Sequence, residues 1–312
     1  MRPSLVRLAT AVSGLALTAV SVATAPAAVA DSKTPALSTV QDTRAAMRGE
    51  GFAHASYLLY ADEAAREGHG RIAELYRSTA QTEFEDHFTQ EAGLISYVGS
   101  NEANIRQAME GERFEATSMY PTYAEEARQD GDVAAAELFT EIAADEAEHR
   151  ELLALALKAL TTGEGKIPSP PQVDPVTVPA GLPQVASART RANLDDAMHG
   201  EGLANATYML YAQHARDTGE RRLAALFEGL AEVELREHFA AEALLAGLVS
   251  DTASNLRTSI AGETYEAEVM YPTFARRAEN NGDVQAAELF TEIAADEAGH
   301  AEAFQGALNH LG

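Results

Sequence analysis

The sequence predicts an all-α protein of two tandem antiparallel four-helix bundles joined by a Pro-rich linker. Three observations predict it. Strand signals are absent, and long stretches rich in Ala, Glu and Leu carry one apolar side each, as amphipathic helices do. The second half repeats the first at a constant offset of 151 residues. Finally, Glu137–His149, ELFTEIAADEAEH, returns at Glu288–His300 as ELFTEIAADEAGH, with only Glu148 changed, to Gly299.

Residues 1–30 read as a secretory signal peptide. Arg2 and Arg7 give a charged start, Leu8–Thr24 is apolar apart from small residues, and Ala28-Val29-Ala30 is an A-x-A cleavage site before Asp31. The expected location is secreted or in the cell envelope, with no stable membrane insertion after cleavage. No other stretch is apolar and long enough to span a bilayer.

Residues 38–160 are expected to form the first bundle. Ser38-x-x-Gln41 resembles a capping box opening the first helix. Gly68-His69-Gly70, Gly99-Ser100-Asn101 and Gly131 separate the four helices. Tyr120-Pro121 lies inside the third and should kink it. Residues 161–188 hold six of the eleven prolines and read as a stiff, extended linker. Residues 189–311 form the second bundle, with breaks near Gly219, Ser250 and Gly282. A weaker repeat lies inside each half. Met47-x-Gly49-Glu50 recurs as Met109-x-Gly111-Glu112, so each bundle reads as two helical hairpins facing each other. The two bundles could in turn pair as an internal pseudo-dimer.

The net charge is −25, and removing residues 1–30 takes away two arginines and no acids, leaving −27. Such a surface repels nucleic acid and anionic lipid. There is no cysteine, which excludes thiolate metal sites, iron–sulfur clusters and a Cys nucleophile.

Each helix of the first bundle carries an acid among small or apolar neighbours: Glu50, then Glu83, then Glu112 with Glu115, then Glu146 with His149. The second copy offers Glu201, Glu234, Glu263 with Glu266, and Glu297 with His300. Glu and His at i and i+3 lie on one helix face. Buried there, they need a partner, and a metal ion is the obvious one. Five or six carboxylates at one point could not all stay ionised without cations. Iron or manganese suits carboxylate oxygen with imidazole. On the second helix, Glu83 is followed by Asp86 at i+3 and His87 at i+4, and Glu234 by Glu237 and His238. Asp86 or His87, and Glu237 or His238, could each reach the metal. The stripe Tyr76, Ala80, Glu83, His87, Leu94 leans to the histidines. His54, His69, His199, His214 and His310 read as surface or packing residues.

Gly49-Glu50, Gly111-Glu112-x-x-Glu115, Tyr120-Pro121 and Glu146-x-x-His149, with their second copies, resemble the ferritin-like domain of rubrerythrin, twice over. The resemblance implies two iron ions per bundle, with no haem, and Glu115 or Glu266 as an extra ligand that moves with iron oxidation state. It also implies tyrosines that support the ligands, at Tyr57, Tyr120, Tyr208 and Tyr271. Members of the family typically reduce hydrogen peroxide. A rubredoxin module is missing, so the reductant must be external. The expected function is an exported peroxide reductase acting on a small oxidant, peroxide or oxygen. The alternatives are a ferroxidase or iron-binding protein, and a non-enzymatic metal-binding envelope protein.

Overall fold

A computed structural model describes residues 34–311. The expected signal peptide at 1–30 lies outside the described residues. Among these residues all regular structure is helical. Eight long helices follow one another: α1 (Leu37–Arg66), α2 (70–94), α3 (101–130), α4 (Val133–Thr162), α5 (Ala188–Asp217), α6 (221–246), α7 (252–281) and α8 (Val284–Asn309). None is long and apolar enough to cross a membrane.

The helix ends follow local chemistry. Ser100, Ser187 and Asp251 accept backbone N–H bonds at the starts of α3, α5 and α7. Gly131 and Gly282 take left-handed conformations that stop α3 and α7. The expected capping box at Ser38 is corrected. α1 starts at Leu37, so Ser38 lies inside its first turn, and the N-cap Ala36 makes no side-chain cap. Instead Asp283, just before α8, accepts from Ala36 N at 2.8 Å and Thr39 Oγ1 at 2.7 Å. Asp132, just before α4, does the same for Ala186 N and Ser187 N ahead of α5.

Those caps join opposite halves of the chain, and so does the core. The two expected bundles exist, but their membership differs from the expected spans 38–160 and 189–311. The hairpin α1–α2 packs against α7–α8, and α5–α6 against α3–α4. One core joins Tyr57, Tyr60 and Tyr76 to Leu256 and Phe304; another joins Ile105 and Leu153 to Tyr211 and Phe227. Each bundle is therefore two facing hairpins, as the internal repeat implies, with one hairpin taken from each half. The two halves interlock and cannot separate as independent domains.

The bundles meet where α1 crosses α5. A Cβ on Gly51 would lie 2.7 Å from the Gly202 carbonyl oxygen, and one on Gly202 would lie 2.6 Å from that of Gly51. The near-equal values describe a pseudo-twofold crossing at which only glycine lets the two backbones touch. The linker is extended, as expected, and it is docked. Val176 N, Gly181 N and Gln184 N bond to the carbonyls of Arg236, Val249 and Leu245, and Val178 and Val185 are buried.

Gly51→Ala should destabilise the fold by about 1–3 kcal/mol, because the clash is with backbone and cannot be relieved by a rotamer change. Gly93→Ala, in a helix with open space around it, should be neutral or slightly stabilising. Denaturant unfolding of both variants checks the contrast; equal midpoints would contradict the crossing.

Candidate metal centres

The α2 helix is not regular along its length. A π-helical turn, with i→i+5 bonding, occupies Glu83–Phe88, and its counterpart in α6 occupies Glu234–Phe239. A wider turn takes one more residue to come round, so the residue four after Glu83 stands where i+3 stands in an α-helix. This decides between the alternatives on this helix. His87 and His238 are buried, Asp86 is exposed, and Glu237 is half-buried and engaged with Asp174 N. Two further π turns, Glu115–Met119 and Glu266–Met270, precede Pro121 and Pro272. The distortion expected from each proline is thus taken up in the turn before it.

Four groups of side chains, all buried except the partly exposed His300, each bring ligand atoms within 4.8 Å of one another. Glu50, Glu83, His87 and Glu297 form one, and Glu83, Glu263, Glu297 and His300 form its neighbour. Together they make centre A. Glu146, Glu201, Glu234 and His238, with Glu112, Glu146, His149 and Glu234, make centre B. The assignment of Glu50, Glu83, His87, Glu112, Glu115, Glu146 and His149 to one site is therefore corrected: Glu50, Glu83 and His87 belong to centre A, the others to centre B. The reason is the exchange of hairpins between halves.

In centre A two carboxylates are shared. Glu83 presents Oε2 to His87 Nδ1 at 2.9 Å and Oε1 to His300 Nδ1 at 3.2 Å. Glu297 presents Oε1 to His87 at 3.1 Å and Oε2 to His300 at 2.8 Å. Glu50 lies 3.7 Å from His87, and Glu263 lies 3.6 Å from His300. The arrangement is two half-sites, each with one imidazole and one terminal carboxylate, bridged by two more carboxylates. Centre B repeats it, with Glu146 and Glu234 as bridges, Glu201 beside His238 and Glu112 beside His149. Both oxygens of Glu83 and Glu234, and both ring nitrogens of His87 and His238, lack a hydrogen-bond partner although buried. Buried polar atoms left this way are costly. A pair of divalent cations satisfies them, with oxygen and imidazole donors suited to iron or manganese. Among the described residues there are thus four Glu/His clusters, two per bundle, and they fit di-iron sites.

Electrostatics agree. Burial, reinforced by Glu297 and Glu83, pushes the Glu50 carboxyl up to about 8. Burial likewise pushes Glu201 up to about 8 and Glu263 up to about 9. Burial works against ionising Glu297, yet the His300 and His87 imidazoles beside it hold it down at about 2. Without metal, the imidazoles serve as the only counter-charges within the clusters.

Glu115 and Glu266 stand outside the four tight groups. Their carboxyls lie against Gly200 and Gly49, 4.0 and 3.7 Å from where a Cβ would be. They thus stand near Glu201 and Glu50, whose charges act on them. Burial, and then Glu146 and Glu201, raise Glu115 well above the usual carboxylate range.

All four expected tyrosines touch ligand carboxylates. Tyr57 donates to Glu263 and Tyr271 to Glu50; Tyr208 donates to Glu112 and Tyr120 to Glu201. Two acids escaped the sequence reading. Glu91 and Glu242 are fully buried, four residues beyond His87 and His238. Tyr271 Oη lies 3.0 Å from Glu91, and Tyr120 Oη 3.0 Å from Glu242. One phenol proton cannot serve two carboxylates, so Glu91 carries its own proton, and burial raises its affinity for it. Their spacing, Glu-x-x-x-His-x-x-x-Glu, was the available signal. Asp296 and Asp145 were also missed. They face Nε2 of His87 and His238 at 3.6 and 3.5 Å, where a carboxylate orients a metal-binding ring. His54 was rightly left unassigned: its Nδ1 meets Ala80 O at 2.7 Å, as Asn205 Nδ2 meets Ala231 O.

The family model described as Rubrerythrin matches residues 44–158 and 192–308. Over 141 residues the chain is 34% identical to nigerythrin of Nitratidesulfovibrio vulgaris, covering 41% of this chain and 70% of that protein. It is 33% identical over 140 residues to rubrerythrin of Porphyromonas gingivalis, covering 41% and 70%. It is 29% identical over 154 residues to symerythrin of Cyanophora paradoxa, covering 48% and 84%. No solved structure matches the chain.

Metal loading should release protons at pH 7. In the metal-free fold Glu50 and Glu201 titrate at about 8 and Glu263 at about 9, so they are protonated there and must ionise to bind. Apparent affinity should rise with pH up to about 9, about tenfold per pH unit for each proton released. Calorimetry in buffers of different ionisation heat measures the release; none at pH 7 would contradict the protonated carboxyls.

Proposed function

Because the chain belongs to the rubrerythrin family, we propose that it is an exported di-iron oxidoreductase that reduces hydrogen peroxide with an external electron donor. One observation carries the reading. Glu83 and Glu297 each turn one oxygen to each imidazole, so two metal ions would sit side by side with matched ligands. Peroxide reduction consumes two electrons and two protons and yields water, and a ferrous pair held by these ligands would supply one electron from each ion.

The chain's own residues supply the rest. Burial excludes bulk water from the carboxylates. Tyr57 and Tyr271 hold protons at Oη against Glu263 and Glu50, and Glu91 holds another at its carboxyl, one phenol away. Glu91 to Tyr271 to Glu50 is a short path along which a proton reaches the centre as it is consumed. With no cysteine in the chain, electrons must come from a separate donor. Export rests on Arg2, Arg7, the apolar run Leu8–Thr24 and Ala28-Val29-Ala30.

Anaerobic diferrous protein mixed with peroxide in a stopped-flow instrument should oxidise faster than the same protein mixed with oxygen. Tyr271→Phe with Tyr120→Phe should slow the peroxide reaction by about 10²-fold or more while iron content is kept. Faster oxidation by oxygen than by peroxide would replace this reading with ferroxidase activity.

A further inference from the structure

The two centres match in their ligands, but their mouths differ. The one change in the repeated thirteen-residue stretch, Glu148 to Gly299, falls immediately before the histidines His149 and His300. Two further positions on the same face change in the same direction: Leu152 to Ala303 and Leu155 to Gly306. At centre B these side chains share a cleft with the linker, Leu152 half-buried and Glu148 and Leu155 exposed. Glu148, His149, Leu152, Leu155, Pro171 and Gln172 line one cleft of about 410 Å³. The linker is pinned there. Asp174 N donates to Glu237, Val176 N bonds to Arg236 O at 2.8 Å, and Pro170 presses on Gly229. A Cβ at Gly229 would lie only 2.4 Å from Pro170 Cβ.

Among the described residues, nothing equivalent is built at centre A. The position matching Gly229 is Ser78, which is exposed, as are Glu85 and Asp86 beside it. The outcome is visible at the ligand itself. The His300 side chain is 16% exposed and the His149 side chain 4%, although their distances to the bridging carboxylates agree closely.

We propose that the centres are inequivalent in access. Centre A exchanges metal ions and small solutes with solvent past His300, and the linker at 170–172, with Glu148 and Leu152, screens centre B behind His149. The linker is thus a strap over one of two chemically alike centres. In the peroxide reaction centre A meets the oxidant first. This inference rests on the metal reading of the clusters and not on the choice of oxidant.

Metal release tests it without turnover. Anaerobic protein loaded with ferrous iron is mixed with a chromophoric ferrous chelator, and iron loss is followed by absorbance. Two phases of equal amplitude are expected, the slower by about tenfold, a barrier difference of about 1.4 kcal/mol. Gly229→Ala, which must displace Pro170, should speed the slow phase alone. Gly299→Glu should slow the fast phase alone. Should Gly229→Ala fold poorly, Glu148→Gly with Leu152→Ala opens the same mouth without touching the strap. A single phase in the wild type, or two phases that none of these changes moves, would overturn the proposal. Failure to bind iron at all would instead defeat the metal reading beneath it, and a preference for oxygen in the oxidation test would leave the proposal standing.

Discussion

Buried negative charge is the constraint on which the rest of this molecule depends. Each centre gathers buried glutamates from four helices, with two imidazoles among them. Carboxylates so placed either take up protons or hold cations. The fold does the first without metal: Glu50, Glu201 and Glu263 are pushed into the range of about 8 to 9. It is built for the second. Shared Glu83 and Glu297, and their counterparts Glu234 and Glu146, divide each cluster into two equal half-sites. The tyrosines, the protonated Glu91 and Glu242, and the carboxylates of Asp296 and Asp145 complete the polar shell around them.

Housing two such centres in one chain is achieved by exchange. The hairpin α1–α2 closes on α7–α8, α5–α6 closes on α3–α4, and the pseudo-twofold crossing at Gly51 and Gly202 locks the bundles together. Asp283 and Asp132 tie the starts of α1 and α5 to the opposite half. Each centre therefore forms only when both halves of the chain are folded. The linker then breaks the symmetry by packing over α6, while among the described residues Ser78, Glu85 and Asp86 on the matching face of α2 stay exposed.

Much of this was legible in the residues. The helices, their breaks at Gly68, Gly131 and Gly282, and the choice of Glu50, Glu83, Glu146, His149 and their copies as metal-site residues follow from periodicity and the 151-residue offset, but which of them meet does not. Hairpin exchange was not legible, and the reason is physical. The two halves present the same ligands at the same spacing, so α1–α2 finds an equally good partner in α3–α4 or α7–α8, and the pattern is satisfied either way. The π turns were hidden because no residue type announces them, although the shift of histidine from i+3 to i+4 was their trace. Glu91 and Glu242 were missed because a single glutamate on a helix is normally a surface residue.

Metal stoichiometry tests the exchanged arrangement directly. Glu83 and Glu146 are bridging residues from the same half of the chain. The structure puts them in different centres. Glu83→Ala and Glu146→Ala should each lose half of the bound iron, and the double variant should lose nearly all of it, as measured by mass spectrometry of the metal. If the double variant instead keeps the same half as either single one, the two glutamates serve one centre, and the account of interlocked hairpins is wrong.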